Sequence, residues 1–259
     1  MPTRSDAPDT ANAVDAARAW ARARLARAMA ELFGEPGGDD LLADPRVAGE
    51  LKAAADTLGL GAAGVAAALS ARRDAARLGD NYLRLFGHTV RSDCPAYELE
   101  YRDSEVFQMS QTLADLGGFY AAFGVELAAA SRERPDHLVA EWEFLALLAT
   151  REALATEGAD AALRDCLRAA QRSFLRDHAA YWMPACFARV RRAAPGGPFA
   201  PAAELGAALI AAWCGEFAVT PGAAWLELRP IGEEDTSIEC GAPGAAPVEL
   251  GPRLAAAVE

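Results

Sequence analysis

The sequence predicts an all-α protein, and three observations carry that expectation. Alanine is abundant and β-branched residues are sparse, so helix propensity is high along the chain. No run of alternating Val, Ile, Thr or aromatic residues bounded by turn signals occurs, as strands would need. Apolar residues instead recur at helical spacing, as in Val106, Met109, Leu113, Leu116, Tyr120 and Phe123. The 259 residues show no alignable repeat and no linker through the middle. One helical domain of about eight to ten helices is expected.

Taken in order, residues 1–11 are polar and expected to be flexible. A first helix is expected from Ala13 to Phe33, with Trp20, Leu25, Met29, Leu32 and Phe33 inward. Arg18, Arg22, Arg24 and Arg27 would form its solvated face, and Gly34 to Gly38 would end it. Asp44-Pro45 reads as a cap and a first-turn proline, starting a helix to Leu58. Another helix is expected from Val65 to Phe86.

His88 to Asp103 is the least regular internal segment, because Pro95 forbids a helix across it. Ser104 to Phe123 is helical again, with Gly117-Gly118 inside it as a point of close approach for a helix or a ligand. The central helix is expected from Pro135 to Thr156. Further helices run from Asp160 to Asp177, from after His178 to Ala193, and from Pro201 to Ala218. The helical domain thus covers residues 12–229. Residues 230–259 are Gly/Pro-rich, with six acids and one arginine, and read as a flexible acidic tail.

The 37 acidic residues outnumber 25 basic ones, a net charge of −12. That argues against nucleic acid, whose phosphates need a basic face, and is compatible with a basic peptide partner. The five cysteines have neither CxxC nor disulfide-scaffold spacing, so reduced thiols and a cytoplasmic location are expected. No apolar secretory segment opens the chain, and no stretch is long and apolar enough to span a membrane.

The candidate site residues fall in two stretches. The irregular segment carries Tyr97, Glu98, Glu100 and Tyr101 in close succession, and aromatics among carboxylates can hold a basic ligand. The central helix opens Pro135-Asp136-His137, with Glu141 and Trp142 in its next turn. His137 and Glu141 share a face at i, i+4 and allow three readings: a capped, solvated helix start, half of a metal site, or a recognition site at the mouth of a groove. Glu-x-x-His, HExxH, phosphate-loop, dinucleotide-binding and nucleophile-elbow motifs are all missing from the sequence. An enzyme or metal protein using His137, Glu141 and His178 is therefore the alternative reading, and no cofactor is expected.

Three blocks, spanning most of residues 80–187, carry a resemblance. They are Asn81-Tyr-Leu-Arg-Leu-Phe86 with Cys94-Pro-Ala-Tyr-Glu98 and Glu100-Tyr101; Arg134-Pro-Asp-His-Leu138 with Glu141-Trp-Glu-Phe144; and Phe174-Leu175, His178, Trp182, Pro184 and Phe187. In order and spacing they resemble the TorD/DmsD/NarJ family of chaperones for molybdenum enzymes. The first block, with Ala114 to Phe123, is most similar to the branch serving type II DMSO-reductase-like enzymes.

The resemblance implies a helical cytoplasmic protein without catalysis of its own, a monomer or homodimer. It would bind the twin-arginine signal peptide and the apo catalytic subunit of a molybdoenzyme, holding it for cofactor insertion before Tat export. Asp136 and His137 match the family's Asp-His pair, implicated in signal-peptide binding. The expected site is an acidic groove edge of Glu98, Glu100, Asp136 and Glu141, with apolar walls from Tyr97, Tyr101 and Trp142.

Overall fold

A computed structural model describes residues 7–36, 41–73, 75–87, 92–102, 106–128 and 133–229. The expected tail at 230–259 lies outside the described residues. Nine α-helices appear among them: α1 Ala7–Phe33, α2 Pro45–Thr57, α3 Ala62–Arg72, α4 Ala75–Leu85, α5 Val106–Ala122, α6 Leu138–Glu157, α7 Ala161–Phe174, α8 Ala180–Ala193 and α9 Ala200–Phe217. A π-helical turn, Leu175–Ala179, joins α7 to α8. No strand occurs among the described residues, so the all-α expectation holds.

Helix α1 starts at Ala7, earlier than the expected Ala13, and packs antiparallel to α6. Trp20 Nε1 reaches Glu157 at 2.8 Å, Arg22 Nη2 reaches Glu152 at 2.6 Å and Arg27 Nη1 reaches Glu143 at 2.7 Å, so one helix ascends as the other descends. Against this pair lie α2, α7 and α9, while α8 and α3 pack on α9. Gly206 permits the closeness of α9, because a Cβ there would sit 2.8 Å from Phe187 and 2.9 Å from Met29.

Two aromatic clusters anchor the core. Phe33, Tyr82, Phe86, Phe187 and Phe199 form one. Phe119, Tyr120, Phe144 and Phe174 form the other and fasten α5 to α6 and α7.

Four local expectations are corrected. Arg22 is not on a solvated face: it is 1% exposed and bridges Glu152 and Glu216 beside Trp213 and Phe217. The expected helix from Val65 to Phe86 is two helices, α3 and α4, with no glycine or proline at the break. Gly117 and Gly118 bring no other helix close among the described residues, since a Cβ at either meets nothing within 4 Å. The central helix begins at Leu138, with His137 as its N-cap, because His137 is extended and held in an antiparallel bridge to Tyr97.

Proline 184 shapes the other end of the fold. It lies inside α8 and has no N–H to offer the Ala180 carbonyl one turn back. The Gly222 N–H takes that carbonyl at 2.7 Å, and a Cβ on residue 222 would overlap the Tyr181 carbonyl oxygen. Residues 218–229 follow α9 as a non-helical strap across α8. Arg189 Nη2 donates to Leu226 O at 2.7 Å, and Trp225 lies under the Arg189 and Arg192 guanidiniums at 4.2 and 3.9 Å.

Candidate functional site

The two sequence stretches meet through backbone. Tyr97 and His137 form an antiparallel bridge, with Glu98 N donating to Asp136 O at 2.9 Å and Leu138 N to Ala96 O at 2.8 Å. Tyr97 and His137 are both in extended conformation, each just ahead of a helical turn, which lets the two backbones pair at that one point. Tyr120 of α5 completes the junction by donating its hydroxyl to Pro135 O at 2.7 Å.

Asp136 is fully buried at this junction. Its carboxylate accepts Leu99 N–H at 3.1 Å and two guanidinium bonds from Arg134, at 2.9 and 2.8 Å. Burial disfavours the Arg134 charge, but Asp136 and Glu100 outweigh it and hold the guanidinium above its ordinary pKa. The Arg134 guanidinium also lies 4.5 Å from the centre of the Tyr97 ring. Tyr97 donates its hydroxyl to Glu133.

His137 is buried, and its Nδ1 accepts Val139 N–H at 3.3 Å. Burial lowers its pKa below the ordinary 6.5, against the raising charges of Glu133 and Asp136. A neutral ring with its proton on Nε2 satisfies that cap.

Behind the junction runs a chain of carboxyls ending at the surface. Glu141, with no exposure, accepts Trp182 Nε1–H at 3.1 Å on both oxygens. Burial, then the charge of Glu98, pushes Glu141 well above the usual carboxyl range. Glu98 accepts Arg102 Nε at 2.6 Å and lies 3.0 Å from His178 Nδ1. His178 sits in the π-turn, a deformation that recurs at functional sites, and its Nε2 lies 3.0 Å from exposed Asp115 of α5. Arg102, Gln111, Thr112, Asp115, Asp177 and His178 line an open cleft of about 590 Å³.

The fold therefore brings Tyr97, Glu98, Glu100, Tyr101, Asp136 and His137 together, but not as an open acidic groove. Glu98, Glu100, Asp136 and Glu141 are all buried, so as exposed groove-edge carboxylates they are a misreading. Desolvation explains the difference: each carboxylate under this surface has acquired an internal cation or donor. Tyr101 and Trp142 are not groove walls either. Tyr101 is 1% exposed against Trp182, and Trp142 is fully buried against Phe187, their ring centroids 6.4 Å apart. His137 and Glu141 do not share a ligand position: one caps α6 and the other holds Trp182. Among the described residues no group of three His, Cys, Asp or Glu could hold a metal ion.

Sequence reading missed the cations of the site. Arg134 and Arg102 lay in view, one preceding Pro-Asp-His and the other four residues after Glu98. Asp115 and Arg229 came without local signal, because their proximity arises only from tertiary packing.

Residues 44–188, which enclose both stretches and the π-turn, match the family described as nitrate reductase delta subunit. A selenate reductase assembly chaperone protein of Thauera selenatis and a chlorate reductase assembly chaperone protein of Ideonella dechloratans are each 45% identical over 73 residues. The matched segment is 28% of this chain and 36% of each relative's length. A solved redox enzyme maturation protein from Archaeoglobus fulgidus aligns over 59% of this chain and 93% of that one, with 23% identity and a TM-score of 0.32. No helix among the described residues is long and apolar enough to cross a membrane.

Proposed function

The chain belongs to the nitrate reductase delta subunit family, and on that premise we propose that it is an assembly chaperone for the catalytic subunit of a molybdenum-dependent reductase. It holds that subunit in its apo form while the client receives its own molybdenum cofactor, and carries out no chemical step itself. The observation that carries this reading is the family match over residues 44–188, which contains the whole Tyr97–His137 junction.

The finer proposal is that the client is engaged through a twin-arginine signal peptide before Tat export, in the cytoplasm, by a monomer or homodimer. Two assembly chaperones of selenate and chlorate reductases among the relatives favour a client of the type II branch. Tyr97, Glu98, Glu100, Tyr101, Asp136, His137, Glu141 and Trp142 contribute in different ways. Tyr97 is half-buried, and Glu100 and His137 are each 5% exposed, more than Glu98, Asp136, Glu141 or Trp142; Tyr97 and Glu100 meet the peptide, while the others hold its shape. Guanidiniums suit such a place because a planar fork pairs with a carboxylate bidentately and stacks on a tyrosine ring.

Titration calorimetry of the purified protein with a synthetic Arg-Arg peptide carrying an apolar helical run tests the reading. Binding that weakens with rising ionic strength and is lost for a Lys-Lys version supports it. An absence of binding at low salt, with no client subunit captured from the native host, would sink it.

A further inference from the structure

We propose that Glu100 is the acceptor for a client guanidinium and that Arg229, at the end of the strap, is its resident stand-in in the free protein. This rests on the chaperone reading above and adds how its site is kept occupied. The Glu100 side chain is only 7% exposed, yet its Oε1 receives no hydrogen bond among the described residues. Two guanidiniums stand off from it: Arg134 Nη2 is 3.5 Å from Oε1 and Arg229 Nη2 is 3.5 Å from Oε2. A well-made guanidinium–carboxylate pair is closer, about 2.7–2.9 Å. Arg134 makes such a pair with Asp136, so it is committed elsewhere and Glu100 is left underserved.

Arg229 is poorly served in turn. Its Nε is buried without a partner among the described residues, and its Nη1 points at Met109 Sδ at 3.3 Å, a weak acceptor. What holds it is the backbone, through Arg229 N–H to Glu100 O at 2.9 Å. The strap is therefore unequal along its length. Gly222 is locked onto the carbonyl that Pro184 leaves open and the Leu226 carbonyl is held by Arg189, while the end beyond them, at Arg229, rests on one backbone bond and loose charge contacts. An incoming arginine that meets Glu100 squarely gains bonds Arg229 does not make, and can lift that end without unseating Gly222.

The test uses the full chain, the Arg-Arg peptide, and the variants Arg229→Ala and Glu100→Gln. Calorimetry is combined with amide exchange over residues 222–229. Removing the resident arginine should tighten peptide binding by about three- to tenfold, because less of the protein is held in a competing state. Glu100→Gln should weaken it by at least about tenfold, since a charged hydrogen-bond acceptor is lost. Bound peptide should speed exchange at residues 226–229 and leave Gly222 protected.

Wild type that binds while Arg229→Ala binds equally or more weakly overturns the stand-in, as does slower exchange at 226–229; the chaperone reading survives both results. Wild-type affinity in a folded Glu100→Gln overturns Glu100 as acceptor. If that variant fails to fold, the Arg229→Ala titration and the exchange data decide alone. Peptide that binds neither wild type nor Arg229→Ala removes the signal-peptide reading and this inference together.

Discussion

Arg134 grips Asp136, two residues on, through paired hydrogen bonds from Nε to Oδ1 and from Nη2 to Oδ2, at 2.9 and 2.8 Å. The same carboxylate takes Leu99 N–H, so one buried charge ties the end of the 95–101 segment to the start of α6. As a helix cap, Asp136 would accept Asn at little cost. As the acceptor of a guanidinium pair it does not. Asp136→Asn should lose about 1.5–3 kcal/mol of stability, the range for hydrogen bonds to charged groups. A denaturant melt measures this, and a loss under about 0.5 kcal/mol would mean the pair does not hold the junction.

Glu141 yields a prediction about pH. Its folded-state pKa lies well above the ordinary 4.5, chiefly through burial and then through Glu98. The folded protein therefore binds a proton that the unfolded chain has released. Its contribution is fully present below 4.5 and falls as pH rises toward the folded pKa, by about 1.4 kcal/mol per pH unit for one proton. Glu141→Gln should flatten that decline and raise stability at neutral pH, because Gln can still accept from Trp182. His137 works with the opposite sign: its pKa is lowered from 6.5, so its contribution is present above 6.5 and lost as pH falls. Melts from pH 5 to 8 of wild type and Glu141→Gln separate the two slopes; parallel curves would mean that Glu141 is ionised in the fold.

Gly222→Ala should unseat the strap. Its Cβ would overlap the Tyr181 carbonyl oxygen, and the Ala180 carbonyl would lose its partner. The expected loss is about 1–3 kcal/mol, the cost of an unsatisfied buried group. It should come with faster proteolysis between residues 218 and 229. Unchanged protease resistance would show that the strap is held from its other end.

Arg22→Leu should be among the more damaging single changes. It strips Glu152, 1% exposed, of a guanidinium at 2.6 Å and removes one of the cations facing Glu216. Burial would raise the Glu216 carboxyl, but Arg22 and Arg18 outweigh it and hold it below its usual range. Breaking a buried pair costs about 3–5 kcal/mol, and here Arg168 and Gln171, both still bonded to Glu152, should keep the loss near the lower figure. A chemical melt of the variant beside wild type gives the number; a loss below about 1 kcal/mol would show that Arg168 replaces Arg22 fully.

The helices were legible because each rests on a local pattern. Asp44-Pro45 caps α2 and Asp160 caps α7 as the residues foretell, through Arg46 N at 2.8 Å and Leu163 N at 3.0 Å. The site residues were legible as motifs, and the fold gathers most of them. Their burial was not. Glu98 and Asp136 look like surface carboxylates until Arg102, His178 and Arg134 arrive from other positions, and only pairing makes a buried carboxylate tolerable. Arg22 misled for the same reason: its partners Glu152 and Glu216 lie on α6 and α9, where no helical periodicity of α1 reports them.

The Ala180 carbonyl also sets an order of events during synthesis. Helix α8 leaves the ribosome with that oxygen open, because Pro184 has nothing to give it. Its partner, the Gly222 N–H, belongs to a residue translated only after the whole of α9. At usual elongation rates that interval is roughly 2–8 s. Through it the nascent chain keeps α8 wet at Ala180 and has no Arg229 yet to lay beside Glu100. A chain still being made would thus show Glu100 without its internal arginine, and only the finished protein meets other polypeptides with that position filled.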